Sequence, residues 1–190
     1  DDNDIIIGQA TVGAGWFLYR LVLSTDTLTL VDSLGANAVT AGGGKYAAIL
    51  TNGTWVRTNL AGIPTLPQAG FGSIDTTGVY AVNTIFQQAS GVSVYSSAGV
   101  LLQQINVILT SGSQPVLRSG LLTYPTNAGF PLVVAATAQP YKAPNGQPYL
   151  PAMDVYRMVP VLDTVSGFAM VVEYSNTKNQ WTIRRADQQT

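Results

Sequence analysis

The stretch that decides the fold is residues 42–59, which read GGGKYAAILTNGTWVRTN. Two β-prone runs flank Asn52-Gly53, a dipeptide that favours two-residue type I′ turns because both central positions need a positive φ. The pattern predicts a β-hairpin in which Thr51 faces Thr54 and Leu50 faces Trp55. Both faces of this hairpin would be partly apolar, so we expect other parts of the structure to pack against each of them. Asn52-Gly53-Thr54 also matches an N-glycosylation sequon, but the turn explains the same residues without a sugar.

Similar hairpins recur along the chain. Five strands are predicted to begin in a similar way, at Gly15, Gly44, Gly78, Gly129 and Gly167, and the spacing between them is uneven. The recurrence predicts an all-β fold. We expect an antiparallel β-sandwich, jelly-roll-like and built of consecutive hairpins. The alternative is a small β-propeller-like meander, in which units of about 40 residues repeat.

Three segments carry more specific structural predictions. Residues 60–73 contain two prolines and three glycines, which favours a loop. Residues 100–109 are almost continuously apolar, and they are the best candidate for a central strand covered on both faces. Residues 116–123 are expected to form one shorter strand.

Composition indicates one rigid β domain. Charged residues make up 10% of the 190 residues, against about 25% in an ordinary soluble domain. Hydrophobic residues make up 46%, which is enough to form a core, and Glu173 is the only glutamate. We therefore predict a single all-β domain over residues 1–190, with a surface loop rich in proline and tyrosine at 139–151.

The residue types that are missing restrict the chemistry. The sequence has no cysteine and no histidine, so catalytic triads with histidine, zinc sites with histidine and disulfides are excluded. The acidic residues fall in no catalytic motif, and we predict that the protein is not an enzyme and has neither a cofactor nor a metal site. A net charge of −1 predicts no nucleic-acid contact and no membrane contact. The chain starts at Asp1 without a signal-peptide pattern, so we expect a processed product or an excised domain.

The most promising contact residues lie in the loop at 139–151, QPYKAPNGQPYLP. Tyrosines in a loop stiffened by proline offer an amphipathic contact surface at a low entropic cost. We predict that Tyr141, Lys142, Asn145 and Tyr149 form an exposed binding surface. The alternative is an ordinary connection whose tyrosines pack over the sheet.

Tryptophan and arginine residues offer a second candidate. Trp16, Trp55 and Trp181 are expected in the core, and the alternative is a sugar-stacking platform. Arg184 and Arg185 are expected at a solvated or subunit-contacting end of the chain.

The chain is rich in Thr, Ser, Asn and Gly, poor in charge, free of cysteine and built of hairpins with a long loop that contains proline. In these features it resembles the β-rich capsid or protruding (spike) domains of small non-enveloped viruses or phages. The resemblance implies a non-enzymatic structural protein at the virion surface. Such a protein would self-associate into a homo-oligomer or larger assembly and expose loops for host attachment. The alternative is an extracellular module that binds a carbohydrate or a receptor.

Overall fold

The chain is all-β, and its sheets are antiparallel, as predicted. A computed structural model describes residues 4–11, 15–34, 38–42, 46–51, 54–59, 64–69, 72–75, 77–83, 91–110, 115–152 and 154–189. These residues form seventeen strands in five sheets, and none of them lies in a helix.

The five sheets follow one another along the chain, with three or four strands each. The first sheet contains β1 (Asp4–Thr11), β2 (Gly15–Val22) and β3 (Thr27–Leu34). The second contains β4 (Ala38–Gly42), β5 (Tyr46–Thr51), β6 (Thr54–Asn59) and β7 (Pro64–Ala69). The third contains β8 (Gly72–Ile74), β9 (Tyr80–Asn83), β10 (Gly91–Tyr95) and β11 (Leu101–Asn106). The fourth contains β12 (Val116–Arg118), β13 (Leu121–Thr123) and β14 (Leu132–Val134). The fifth contains β15 (Val155–Leu162), β16 (Ala169–Ser175) and β17 (Gln180–Arg185).

The hairpin predicted from residues 42–59 has the expected register. Strands β5 and β6 pair with Thr51 opposite Thr54 and Leu50 opposite Trp55. Asn52 and Gly53, which would form the turn, lie outside the described residues. Strands β4 and β7 flank the hairpin, so it forms the middle of the second sheet.

Neighbouring sheets contact each other in series through their first strands. Strand β1 contacts β4, β4 contacts β8, β8 contacts β12, and β12 contacts β15. Within every sheet, each strand pairs with its neighbour in sequence. A jelly roll contains Greek-key connections, which pair strands that are distant in sequence, and the described strands show no such pairing.

Two separate cores flank the fourth sheet. Leu122 is fully buried in a cluster with Val92 and Val94 of the third sheet. Its neighbour Leu121 points to the opposite side and is buried in a second cluster with Met158 and Val171 of the fifth sheet. A two-sheet sandwich has a single core between its sheets. The described sheets instead stack one after another, which the sandwich prediction did not anticipate.

Two of the three segment predictions fail because a run of residues does not reveal its place in a sheet. Residues 60–73 contain β7 and the first two residues of β8 rather than only a loop, and β7 is an edge strand, where proline is tolerated. The central strand expected at 100–109 is β11, which lies at the edge of the third sheet and exposes Leu101 and Leu102.

The third segment, residues 116–123, is a hairpin rather than one strand. Arg118 pairs with Leu121, and the two residues between them, Ser119 and Gly120, have φ values of 49° and 74°. Positive φ at both positions is what a two-residue type I′ turn requires. Ser119-Gly120 is itself a turn-prone dipeptide, and the prediction of a single strand overlooked this signal.

Because other sheets pack on both faces of the fourth sheet, truncating either of its two adjacent leucines should destabilise the protein. We expect Leu121→Ala and Leu122→Ala each to lower the free energy of unfolding by about 2–5 kcal/mol, because each leaves a cavity in a different core. The control Leu101→Ala, at an exposed position of β11, should change it by less than about 0.5 kcal/mol. Urea denaturation measures all three. A small effect for Leu121→Ala alone would show that the fifth sheet does not cover the fourth.

Candidate functional site on the C-terminal sheet

The predicted contact loop packs onto the fifth sheet instead of projecting from it. Tyr141 is 5% exposed. Its hydroxyl accepts a hydrogen bond from the Ala169 amide at 2.8 Å and donates to the Gly167 carbonyl oxygen at 3.3 Å. Tyr141 therefore closes the core between the loop and β16, and the premise that it is exposed is not met.

Tyr149, the second tyrosine of the loop, is half-buried. Its hydroxyl oxygen lies 3.3 Å from Glu173 Oε1 and 3.2 Å from Met158 Sδ. Burial raises the pKa of Tyr149, and the negative charge of Glu173 raises it further. The phenol is thus a neutral hydrogen-bonding group at physiological pH.

The other two predicted residues, Lys142 and Asn145, are exposed. Asn145 Nδ2 donates a hydrogen bond to Asp187 Oδ2 at 3.0 Å, and Asn145 Oδ1 accepts one from the Gln147 amide at 3.1 Å. Asn145 therefore ties the loop to the residues after β17. The four predicted residues do not share one exposed surface, and a binding role for Lys142 and Asn145 stays a prediction.

A buried ion pair lies beneath the loop. Arg184 Nη2 is 2.7 Å from Glu173 Oε1, and Arg184 Nε is 2.8 Å from Glu173 Oε2. Arg184 also donates to the Leu150 carbonyl oxygen at 2.7 Å, and its guanidinium carbon lies 5.6 Å from the centre of the Tyr149 ring. The expected solvated position of Arg184 is therefore wrong, because its charge is matched inside the fold.

A small cleft of about 40 Å³ opens beside this ion pair. Its lining residues are mostly polar and comprise Ala152, Val155, Glu173, Ser175, Lys178, Gln180 and Thr182. Both carboxylate oxygens of Glu173 already accept hydrogen bonds from Arg184, so the carboxylate in this lining is engaged in the fold. In the described part of the chain, no three acidic residues converge on a metal position.

The opposite side of the fifth sheet is exposed to solvent. Side chains alternate between the two faces of a strand, and the register of β15, β16 and β17 places three cross-strand rows on this side. We call these residues the outer face: Arg157, Tyr174 and Trp181; Val159, Val172 and Ile183; Val161, Met170 and Arg185. Ile183 is 69% exposed, Trp181 54% and Val161 46%.

Aromatic and cationic side chains lie at one end of the outer face. The rings of Tyr174 and Trp181 are 5.1 Å apart at an angle of 48°. Arg157 is exposed, and its guanidinium carbon lies 5.8 Å from the centre of the Tyr156 ring. No ion-pair partner of Arg157 is found among the described residues. The expectation that Trp181 is in the core is wrong, while the side chains of Trp16 and Trp55 lie outside the described part.

The position of the fifth sheet in the series explains this exposure. The third sheet buries Val92 and Val94 on one face and Tyr80 and Val82 on the other. The fourth sheet is likewise buried on both faces. The fifth sheet is the last one described, so its inner face packs on the fourth sheet while its outer face has no following sheet.

Comparison with known proteins gives structural similarity only. No protein-family model and no curated protein sequence matches the chain. TolB from Acinetobacter baumannii is a similar solved structure, with 14% identity, a TM-score of 0.48, and coverage of 98% of this chain and 52% of its own. A Bacteroides caccae protein of unknown function has 15% identity, a TM-score of 0.45, and coverage of 96% and 72%. A Lactobacillus plantarum protein has 11% identity, a TM-score of 0.34, and coverage of 96% and 66%. The chain thus spans about half the length of the TolB chain.

These structures correct the function predicted from composition. All three are bacterial proteins, and none is a viral coat or spike protein. The prediction of a structural protein of a virus particle, with its virion location and host-attachment role, is therefore wrong. The described residues include no helix of sufficient length and hydropathy to cross a membrane.

The buried ion pair predicts strong coupling between its two residues. Removing one partner leaves the other charge buried without compensation, so Glu173→Leu and Arg184→Met should each cost about 3–5 kcal/mol of unfolding free energy. The double variant Glu173→Leu/Arg184→Met should cost less than the sum of the two. The double variant should still be less stable than the wild type, because the Leu150 carbonyl oxygen loses the hydrogen bond that Arg184 donates. Urea denaturation measures the three variants, and simple additivity would contradict the coupling.

Asp187 gives a prediction about pH. Hydrogen bonds from the Arg185 guanidinium, joined by that from Asn145, lower the pKa of Asp187 to about 2. A lowered folded-state pKa stabilises the fold above the unfolded value of about 3.9, and this stabilisation is lost as the pH falls through the folded value. The Tm of the wild-type protein should therefore be higher than that of Asp187→Asn at neutral pH. The difference between the two Tm values should shrink as the pH falls from about 4 to about 2. Thermal unfolding by circular dichroism checks this, and a difference independent of pH would contradict it.

Proposed function

We propose that the protein is a non-catalytic binding module that recognises another protein through the outer face of its fifth sheet. The observation that supports this proposal is the joint exposure of Trp181, Ile183 and Val161 on one regular surface. Single exposed apolar residues are common, whereas a contiguous exposed apolar patch marks an interaction site.

The composition of the outer face fits a protein interface. Interface centres are enriched in tryptophan, tyrosine, methionine and arginine, and they are depleted of lysine and acidic residues. The outer face contains Trp181, Tyr174, Met170 and Arg157, and it contains no lysine or acidic residue. Trp181 and Arg157 belong to the residue types that most often dominate binding energy.

A protein partner fits this surface better than a carbohydrate. Sugar hydroxyls lose hydrogen bonds to water on binding, so a sugar site needs polar groups beside its aromatic ring. Beside Trp181, the Tyr174 hydroxyl already donates a hydrogen bond to Asn179 Oδ1. The next row consists of Val159, Val172 and Ile183, which offers no side-chain donor or acceptor, so Arg157 is left as the polar side chain of these two rows. The apolar rows instead suit the flat apolar surface of a protein.

We also infer that the five sheets are the blades of a β-propeller-like array. In a propeller, small antiparallel sheets repeat around an axis and pack face to face. Contact through the first strand of each sheet supports this arrangement, and so does burial of the third and fourth sheets on both faces. An extracellular location, expected from composition, also belongs to the proposal.

The bonding of two buried carboxylates, those of Glu173 and Asp75, supports a non-catalytic role. Glu173 is held by Arg184 at both oxygens. Asp75 is buried, with its oxygens accepting hydrogen bonds from the Thr77 and Gly120 amides. Carboxylates engaged in this way stabilise turns and sheet contacts, and they are not free to transfer protons.

A phage-displayed library of random peptides, panned against the wild-type protein, tests the binding surface. We expect peptides rich in apolar and acidic residues whose affinity falls at least about tenfold for Trp181→Ser and Ile183→Ser, because each change removes a central apolar contact. The matched control is Val165→Ser. Val165 is 96% exposed but lies in the turn between β15 and β16, away from the outer face.

Two results would overturn the proposal. Peptides that bind all variants equally would place the binding surface elsewhere. Binding on a glycan array that Trp181→Ser abolishes, together with a failure of the panning, would replace the protein partner with a carbohydrate.

A further inference from the structure

We infer that the partner of the outer face is a second copy of this chain, which docks through the hairpin of β2 and β3 in its first sheet. This inference rests on the proposed function and names the partner of the same site. The two surfaces lie at opposite ends of the series of sheets, one at the start and one at the end.

The β2–β3 hairpin exposes an apolar surface of its own. Leu23, Leu28 and Leu30 are 48%, 57% and 51% exposed. Leu28 pairs with Leu21 and Leu30 with Tyr19, and both partners are half-buried. The hairpin therefore presents a second uncovered apolar patch, comparable in character to the outer face.

The charges of the two surfaces are complementary. Residues 15–34, which form the β2–β3 hairpin, contain two aspartates and one arginine, which gives a net charge of −1. Asp26 is exposed in the turn between β2 and β3, and no ion-pair partner of it is found in the described part of the chain. Arg157 on the outer face likewise has none there. Each surface thus has a charged residue beside apolar ones, Asp26 on the hairpin and Arg157 on the outer face. Their opposite charges favour association of these two surfaces over association of either surface with a copy of itself.

The order of the sheets supports the same arrangement. Within the chain, the first strand of each sheet contacts the first strand of the next sheet. No comparable contact joins β15 back to β1 in the described residues. The first sheet of a second copy, placed after the fifth sheet, would continue the series with the same kind of contact. Because two different surfaces meet, the association is head to tail and forms rings or longer chains.

Charge reversal followed by mixing tests this pairing. Sedimentation velocity of the full chain between about 1 and about 200 µM should show association of the wild type that increases with concentration. Arg157→Asp and Asp26→Arg should each stay monomeric over this range, because each places like charges together. An equimolar mixture of the two variants should associate again, since the reversed charge of one copy then faces the reversed charge of the other and the two are opposite in sign. The control Val165→Asp, which adds a negative charge at an exposed turn position away from the outer face, should behave as wild type.

Cysteine cross-linking provides a second measurement, which is unambiguous because the chain has no cysteine. Mild oxidation of a mixture of Asp26→Cys and Arg157→Cys should give at least about ten times more heterodimer than either homodimer, because a disulfide needs Cα atoms within about 7 Å. Circular dichroism of every variant verifies that it is folded.

The outcomes separate this inference from the proposed function. A wild type that is monomeric throughout the range, or homodimers as the main cross-linked product, would overturn self-association. Peptides that need Trp181 and bind to such a monomeric protein would leave the proposed function standing with a different partner. Association that Trp181→Ser abolishes and that the charge-swapped mixture restores would support both.

Discussion

Short strands bury enough apolar surface only when both faces of their sheet are covered, and this constraint governs the whole structure. All three residues of β13 are buried, and this is achieved because Leu121 and Leu122 enter different cores. The same constraint requires the sheets to stack in series. It also means that each end sheet of the series keeps one face that no other described sheet covers. The outer face and the exposed hairpin of the first sheet are two consequences of a single arrangement.

The loop at 139–151 makes the inner face of the fifth sheet a closed core. Tyr141 hydrogen-bonds the backbone of β16 and the turn before it, while Tyr149 and the Leu150 carbonyl oxygen contact the Glu173–Arg184 ion pair. A buried ion pair adds little net stability over apolar residues, but it specifies one arrangement of its surroundings when every hydrogen bond is made. The polar residues of this region therefore fix the position of the loop. The opposite face instead presents the exposed side chains of Trp181, Ile183 and Val161 to solvent.

Features set by neighbouring residues could be predicted from the sequence, and features set by distant ones could not. A turn predicted at Asn52-Gly53 determines which residues face each other, and the predicted register of β5 and β6 is confirmed. Residues 100–109 form an edge strand because of how other strands pair, and Trp181 is exposed because no described sheet follows its own. The contact of Glu173 with Arg184 could have been found, since the predicted turn between their strands places both on one face. Composition describes surface chemistry that unrelated β proteins share, and so it assigned the wrong function.

Pairing between consecutive strands has a consequence for how the chain folds and changes. Nearly all strand pairs join segments that are close in sequence, so the contact order is low for an all-β protein and each sheet closes only short loops as it forms. The stability of such an array is approximately the sum of its units and of their nearest-neighbour interfaces. A gene could therefore gain or lose the segment for one sheet without changing how strands pair in the other sheets. Only the pair of sheets at the new junction would have to adapt.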